Sequence, residues 1–181
     1  KQAAFDAIAP NAPIGAWLPY TPEWQEEKWR AIAIERITGR AGFPAELGAV
    51  MLDTDVRQAE AALRFVGQLP APDAALVPAV TTAGRDLIER MNKVNAITPE
   101  QDPCYEGAAE ISIRFNAWME AVRALREKAQ GDFIPELGEI LELSRVRTDS
   151  QVMQKDVRRV ASYYLKTWAG VDPLPGDPPP R

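Results

Sequence analysis

The sequence predicts an all-α protein, an up-and-down helical bundle of four core helices plus one or two peripheral helices, flanked by extended proline-rich N- and C-terminal segments. Three observations predict it. Apolar residues recur at steps of three and four through most of the chain, and period-two alternation is almost absent. Asp, Thr and Pro open most of the periodic stretches, while Gly closes several of them. Proline gathers at the two ends.

Residues 1–21 read as an extended arm, because Pro10, Pro13 and Pro19, with Pro22 just beyond, bias their preceding residues away from helix. Thr21 and Pro22 then read as the N-cap and first position of a helix that Gly39 ends. Gly42, Pro44 and Gly48 suggest a loop. Asp53 or Thr54 caps the next helix, near 54–68, whose inward residues are Val56, Ala59, Leu63 and Val66. A helix near 78–97 follows, carrying Val80, Ala83, Leu87, Met91 and Val94.

The strongest element, near 103–130, opens at Asp102 and Pro103. Cys104, Ala108, Ile111, Phe115, Trp118, Val122, Leu125 and Ala129 recur along it in heptad spacing, the pattern of a helix packed along its length on near-parallel neighbours. Pro135 to Arg147 reads as a shorter helix with Leu137, Ile140, Leu141 and Ser144 inward. Thr148 or Asp149 caps the last helix, near 149–169, where Met153, Val157, Val160, Tyr164 and Trp168 share one face. The predicted organisation is therefore an arm at 1–21, a bundle domain at 22–170 and a proline-rich tail at 171–181. Short breaks between long helices favour antiparallel neighbours.

Composition excludes much site chemistry. The 181 residues carry a net charge of −5, no histidine and one cysteine, Cys104. A Ser-His-Asp triad, a Cys-His pair, a His-based zinc site, proximal-His haem and a Glu-x-x-His di-iron centre all need histidine. Glycine-rich phosphate loops and EF-hand loops are missing as well, so no cofactor, metal or catalytic residue is expected. The acidic balance argues against nucleic acid as a partner. No apolar run is long enough for a transmembrane helix, which leaves peripheral membrane association open. Because the sequence starts at Lys1 rather than Met, a processed protein of a periplasm or organelle compartment is the expectation.

The remaining candidates divide by chemistry. Glu106 with Glu110, and Asp132 with Glu136, then Glu139 and Glu142, offer carboxylates near helix starts. A paired-carboxylate hydrolase needs two such groups across a cleft. Against that, Glu60/Arg64, Asp86/Arg90, Glu89/Lys93 and Glu110/Arg114 stand acid-before-base at four residues, the order of helix-face ion pairs. Cys104 opens the heptad stripe and reads as a small core residue, or as a thiol made reactive near a helix start.

Two segments look built for a partner. Trp17, Tyr20 and Trp24, joined by Phe5 and Trp29, concentrate aromatic anchors near the N-terminus, although packing back onto the bundle would also explain them. Arg145, Arg147, Arg158 and Arg159, with Lys155 and Lys166, outnumber the nearby Asp149 and Asp156 and suit an anionic surface. The expected function is a non-enzymatic interaction subunit docked on a larger protein assembly, such as an extrinsic subunit of a membrane complex. The alternative is a small enzyme or ligand-binding bundle using core carboxylates or an apolar inter-helix pocket. On the first reading, deleting residues 1–20 leaves the bundle folded and weakens docking.

Overall fold

A computed structural model describes residues 2–129, 131–146 and 151–170. Among these the fold is all-α, with nine α-helices and no strand. Two compact units share the chain. The first joins Lys1–Ala83 to Ala117–Gly131, and the second joins Gly84–Asn116 to Asp132–Arg181. The N-terminal segment thus belongs to a packed unit instead of standing as a separate arm.

In the first unit, residues 2–20 form short helical turns where extended chain is expected. Helix α1 is Gln2–Asp6, α2 is Ile14–Trp17, and a 3-10 turn spans Leu18–Tyr20. The reason lies in where the prolines sit. Pro13 is the cap of α2 and Pro19 opens the 3-10 turn, positions where a missing N–H has no helical partner to lose. Ile14, Trp17 and Leu18 point into the core at 1 %, 3 % and 0 % exposure. The segment is also tied at Ala12, whose carbonyl accepts from Arg40 Nη1 at 2.9 Å.

Helix α3 is Glu27–Thr38, starting later than Thr21 because Thr21 closes the preceding turn, donating its hydroxyl to the Leu18 carbonyl at 2.9 Å. The expected loop at Gly42–Gly48 is instead helix α4, Phe43–Met51, with Pro44 in its first turn and Phe43, Leu47 and Met51 buried one turn apart. Helix α5, Val56–Gln68, is capped by Asp55, whose carboxylate accepts from Arg57 N, while Asp53 accepts from Asp55 N just upstream. Ala59, Leu63 and Val66 face inward as expected, joined by Phe65, whose ring meets Phe43 edge-on at 6.3 Å.

Helices α6 (Val77–Ala96) and α7 (Glu106–Ala129) each contribute to both units. In the first unit, Trp118 of α7 donates its indole N–H to the Val80 carbonyl of α6 at 2.9 Å. Gly67 lets α5 approach α7, since a Cβ there would meet the Glu120 backbone at 3.2 Å. Arg64 of α5 bonds Glu60 on its own helix and Glu120 on α7. Burial opposes the Arg64 charge, but hydrogen bonding to Glu60 and the nearby carboxylates outweigh it and hold its pKa above the ordinary arginine value.

Ala108, Ile111, Phe115, Trp118, Val122 and Leu125 are all buried, so the heptad stripe is a core face. It is wider than a seam, because Ala117, Met119, Ala121 and Ala124 are buried too. Cys104 is not part of it. The helix begins at Glu106, leaving Cys104 exposed in the preceding turn. Asp102 still acts as a cap, accepting from Glu106 N at 2.8 Å and Gly107 N at 3.1 Å, with Tyr105 between them at φ 55.

In the second unit, helix α8, Ile134–Leu143, packs on α9, Gln151–Ala169. Leu137, Ile140, Leu141 and Ser144 of the α8 segment are buried as expected, although the helix stops before Arg147. On α9 Val157 is buried as expected, but the row continues through Ala161 and Leu165, one position further round than the expected Val160, Tyr164 and Trp168, which are half-buried; the side chain of Met153 lies outside the described residues. The predicted caps Thr148 and Asp149, the tail 171–181 and Arg147 lie outside the described residues.

Candidate functional site

The aromatic residues singled out near the N-terminus separate into two environments. Phe5, Trp17, Tyr20 and Trp29 form one cluster. The Phe5 ring lies 5.9 Å from Trp17, 4.9 Å from Tyr20 and 5.7 Å from Trp29, edge-on to the first two and stacked on the third. Trp17 and Trp29 are buried and Tyr20 is half-buried. Trp17 therefore packs inward, as does most of Tyr20.

Trp24 is the opposite case, 79 % exposed on the turn between the 3-10 segment and α3. Three hydrogen bonds brace that turn. Gln25 N donates to Pro22 O at 3.0 Å, Gln25 Nε2 to Pro19 O at 2.7 Å, and Arg30 Nε to Thr21 O at 3.1 Å. Pro22 adds its own fixed φ. The result is a large indole held in water by a backbone with little freedom left. Its sequence neighbours Glu23, Glu26 and Glu27 are exposed acids, against one base, Lys28, which pairs with Glu26 at 3.1 Å. An exposed indole inside an acidic collar can enter an apolar slot whose rim is basic.

The basic candidates are less concentrated. Arg145 is half-buried beside Val146, which is 60 % exposed. Arg158 is half-buried on α9, and the exposed Arg159 meets Asp156 at 3.6 Å. Further along α9, Tyr163, Tyr164 and Trp168 form an aromatic row, with ring centroids 5.0 Å and 4.4 Å apart.

Several of the candidate carboxylates are engaged in ion pairs along or between helices, whereas Glu106 and Glu142 are exposed. Glu110 bonds both Arg90 of α6, at 3.2 Å, and the buried Arg114 of its own helix, at 2.7 Å, while Asp86 holds Arg90 from the other side at 2.6 Å. Glu110→Ala is expected to cost about 1–3 kcal/mol, because Arg114, with 3 % side-chain exposure, loses one charged partner, while Glu110 itself is 37 % exposed and water screens part of the pair. Glu110→Gln, which keeps an acceptor oxygen, should cost less. Urea unfolding of both variants checks this, and a loss below about 1 kcal/mol for the alanine variant would show the pair to be dispensable.

Glu136 is a residue whose setting the sequence reading missed. It is 4 % exposed, not on a charged outer face, and Arg85 of α6 neutralises it at 2.9 Å while also reaching Glu139 at 2.7 Å. The signal was present in the spacing, since Glu136 precedes the buried Ile140 by one turn. Among the described residues, no group of three or more Cys, Asp or Glu side chains is placed to hold a metal ion, and no helix is long and apolar enough to cross a membrane. Comparison with known proteins finds no matching family model, curated relative or solved structure.

Proposed function

We propose that this chain is a non-enzymatic interaction subunit that docks on a larger protein assembly through Trp24. The observation that carries this reading is the 79 % exposure of that indole on a turn fixed by three hydrogen bonds. A tryptophan left in water gains the most from a partner's pocket, and a turn already ordered loses little entropy on docking. The acidic collar of Glu23, Glu26 and Glu27 would steer the chain toward a basic rim. The extrinsic face of a membrane complex is one such setting. Arg158 and Arg159 belong to a separate unit and would serve a second contact, if the assembly has one.

Trp24→Ala tests the reading directly. Truncating a central interface indole costs about 2 kcal/mol or more, so retention in the native assembly should fall by more than tenfold. The variant's own unfolding midpoint should not move, because the side chain packs on little else. Retention is measured by sedimentation or size exclusion of complex reconstituted from the native source. Unchanged retention at matched concentrations would end this assignment. The rival reading, an enzyme or ligand-binding bundle built on core carboxylates, gains no support from Glu136, whose charge Arg85 already engages.

A further inference from the structure

We infer that Trp17, Tyr20 and Trp29 form a binding box for an aromatic ring that carries acceptor oxygens, and that Phe5 occupies this box in cis. The walls come from three different elements: α2, the 3-10 turn and α3. Their mutual packing is independent of α1. The Phe5 ring shows what the box accepts, a flat six-membered ring with its centre 4.9–5.9 Å from each wall.

Phe5 matches the shape of the box but leaves its polarity unanswered. The indole nitrogens of both Trp17 and Trp29 are buried without a hydrogen-bond partner. Buried N–H groups are ordinarily paired, and a phenyl ring offers them only the weak acceptance of its π face. A phenol or aromatic carboxylate offers an acceptor oxygen. Lys28 adds charge at the rim, its ammonium 5.4 Å from the Trp29 ring centroid and 3.4 Å from Gln2 Oε1 of α1. With α1 displaced, that ammonium loses Gln2 but keeps Glu26 at 3.1 Å, so an anionic substituent would share it with that carboxylate. The ligand class is therefore an aromatic ring bearing hydroxyl or carboxylate oxygens.

Displacement is feasible because α1 is lightly held. It is five residues long, Phe5 is its buried residue, and its neighbours Ala3, Ala4, Asp6 and Ala7 are exposed. Its backbone hydrogen bonds from Ala7 and Ile8 close on Ala3 and Phe5 within the segment itself. Few buried contacts and exposed local hydrogen bonds mark a segment that opens before the rest of its unit. The site does not involve Trp24, so it stands or falls apart from the docking reading.

The test uses the full chain, labelled for indole N–H spectra, titrated with 4-hydroxybenzoate and, separately, with toluene. In the wild type, 4-hydroxybenzoate should shift the indole signals of Trp17 and Trp29 and leave Trp24 unmoved. Phe5→Ala should bind it at least tenfold more tightly, since the internal competitor is gone, and should prefer it to toluene by tenfold or more. Phe5→Leu, which keeps apolar bulk without a ring, provides the same comparison with less loss of core. Equal affinity for toluene would reduce the box to an apolar void and overturn the assignment. So would silent Trp17 and Trp29 signals in a folded Phe5 variant at millimolar probe. Failure of both variants to fold would make Phe5 a core residue and overturn it as well.

Discussion

Trp118→Ala is expected to lower stability by about 3–5 kcal/mol, the range for removing a large aromatic from a core that cannot collapse around the space. Trp118 is 1 % exposed on α7, on the buried face that also carries Val122 and Leu125. Its indole N–H donates to the Val80 carbonyl of α6 at 2.9 Å, so the substitution removes a helix-to-helix hydrogen bond together with the packing. Trp118→Phe separates the two contributions. It keeps most of the apolar area and loses the donor, and its cost should fall to about 1–2 kcal/mol, below that of alanine. Both are read from urea unfolding followed by helical circular dichroism. Trp118 belongs to the first unit, so where two transitions resolve, the one that moves should be that unit's. A loss below about 1 kcal/mol for alanine would show that the position repacks freely.

The stripe around Trp118 was readable because it is long. Apolar steps sustained along the helix make its period unambiguous: of the eight residues predicted inward, the six from Ala108 to Leu125 are buried, Cys104 is exposed ahead of the helix, and the side chain of Ala129 lies outside the described residues. The N-terminal unit was opaque for the converse reason. Helices α1 and α2 have five and four residues, too short to show a period, and they are held by tertiary packing instead of propensity. Proline misled in the same region. Its restriction applies to helix interiors, but Pro13, Pro19 and Pro44 stand at caps and first turns, where they help to start a helix.

The candidate site shows a different limit. Trp17 and Trp24 look alike in sequence, two indoles among prolines, yet one is buried and the other stands in solvent. The difference comes from neighbours. Trp17 shares a turn with Ile14 and Leu18 and follows them inward, whereas Trp24 has Glu23, Glu26 and Glu27 around it and no aliphatic residue three or four positions away. Glu136 has the charge type of a surface acid but the spacing of an inward residue, and its partner Arg85 lies far off in sequence and carries no local signature.

Deleting residues 1–20 is expected to unfold the first unit, contrary to the outcome an extended arm implies. The deletion removes Phe5, Ile14, Trp17 and Leu18, which are 7 %, 1 %, 3 % and 0 % exposed. Each fully buried apolar side chain of this size is worth about 1.5–3 kcal/mol, so together they approach the 5–15 kcal/mol that holds a typical domain together. The deletion also strips the cover from Trp29 and takes away the Ala12 carbonyl that anchors Arg40. Removing residues 1–9 alone is the informative contrast. It takes out α1 and Phe5 but leaves Ile14, Trp17 and Leu18, and the chain should remain folded with a modest loss. Helical circular dichroism and urea midpoints distinguish the two shortened chains. A 1–20 deletion with an unchanged midpoint would return the N-terminal segment to the status of a detachable arm, and Trp17 would rejoin Trp24 among the residues to test for docking.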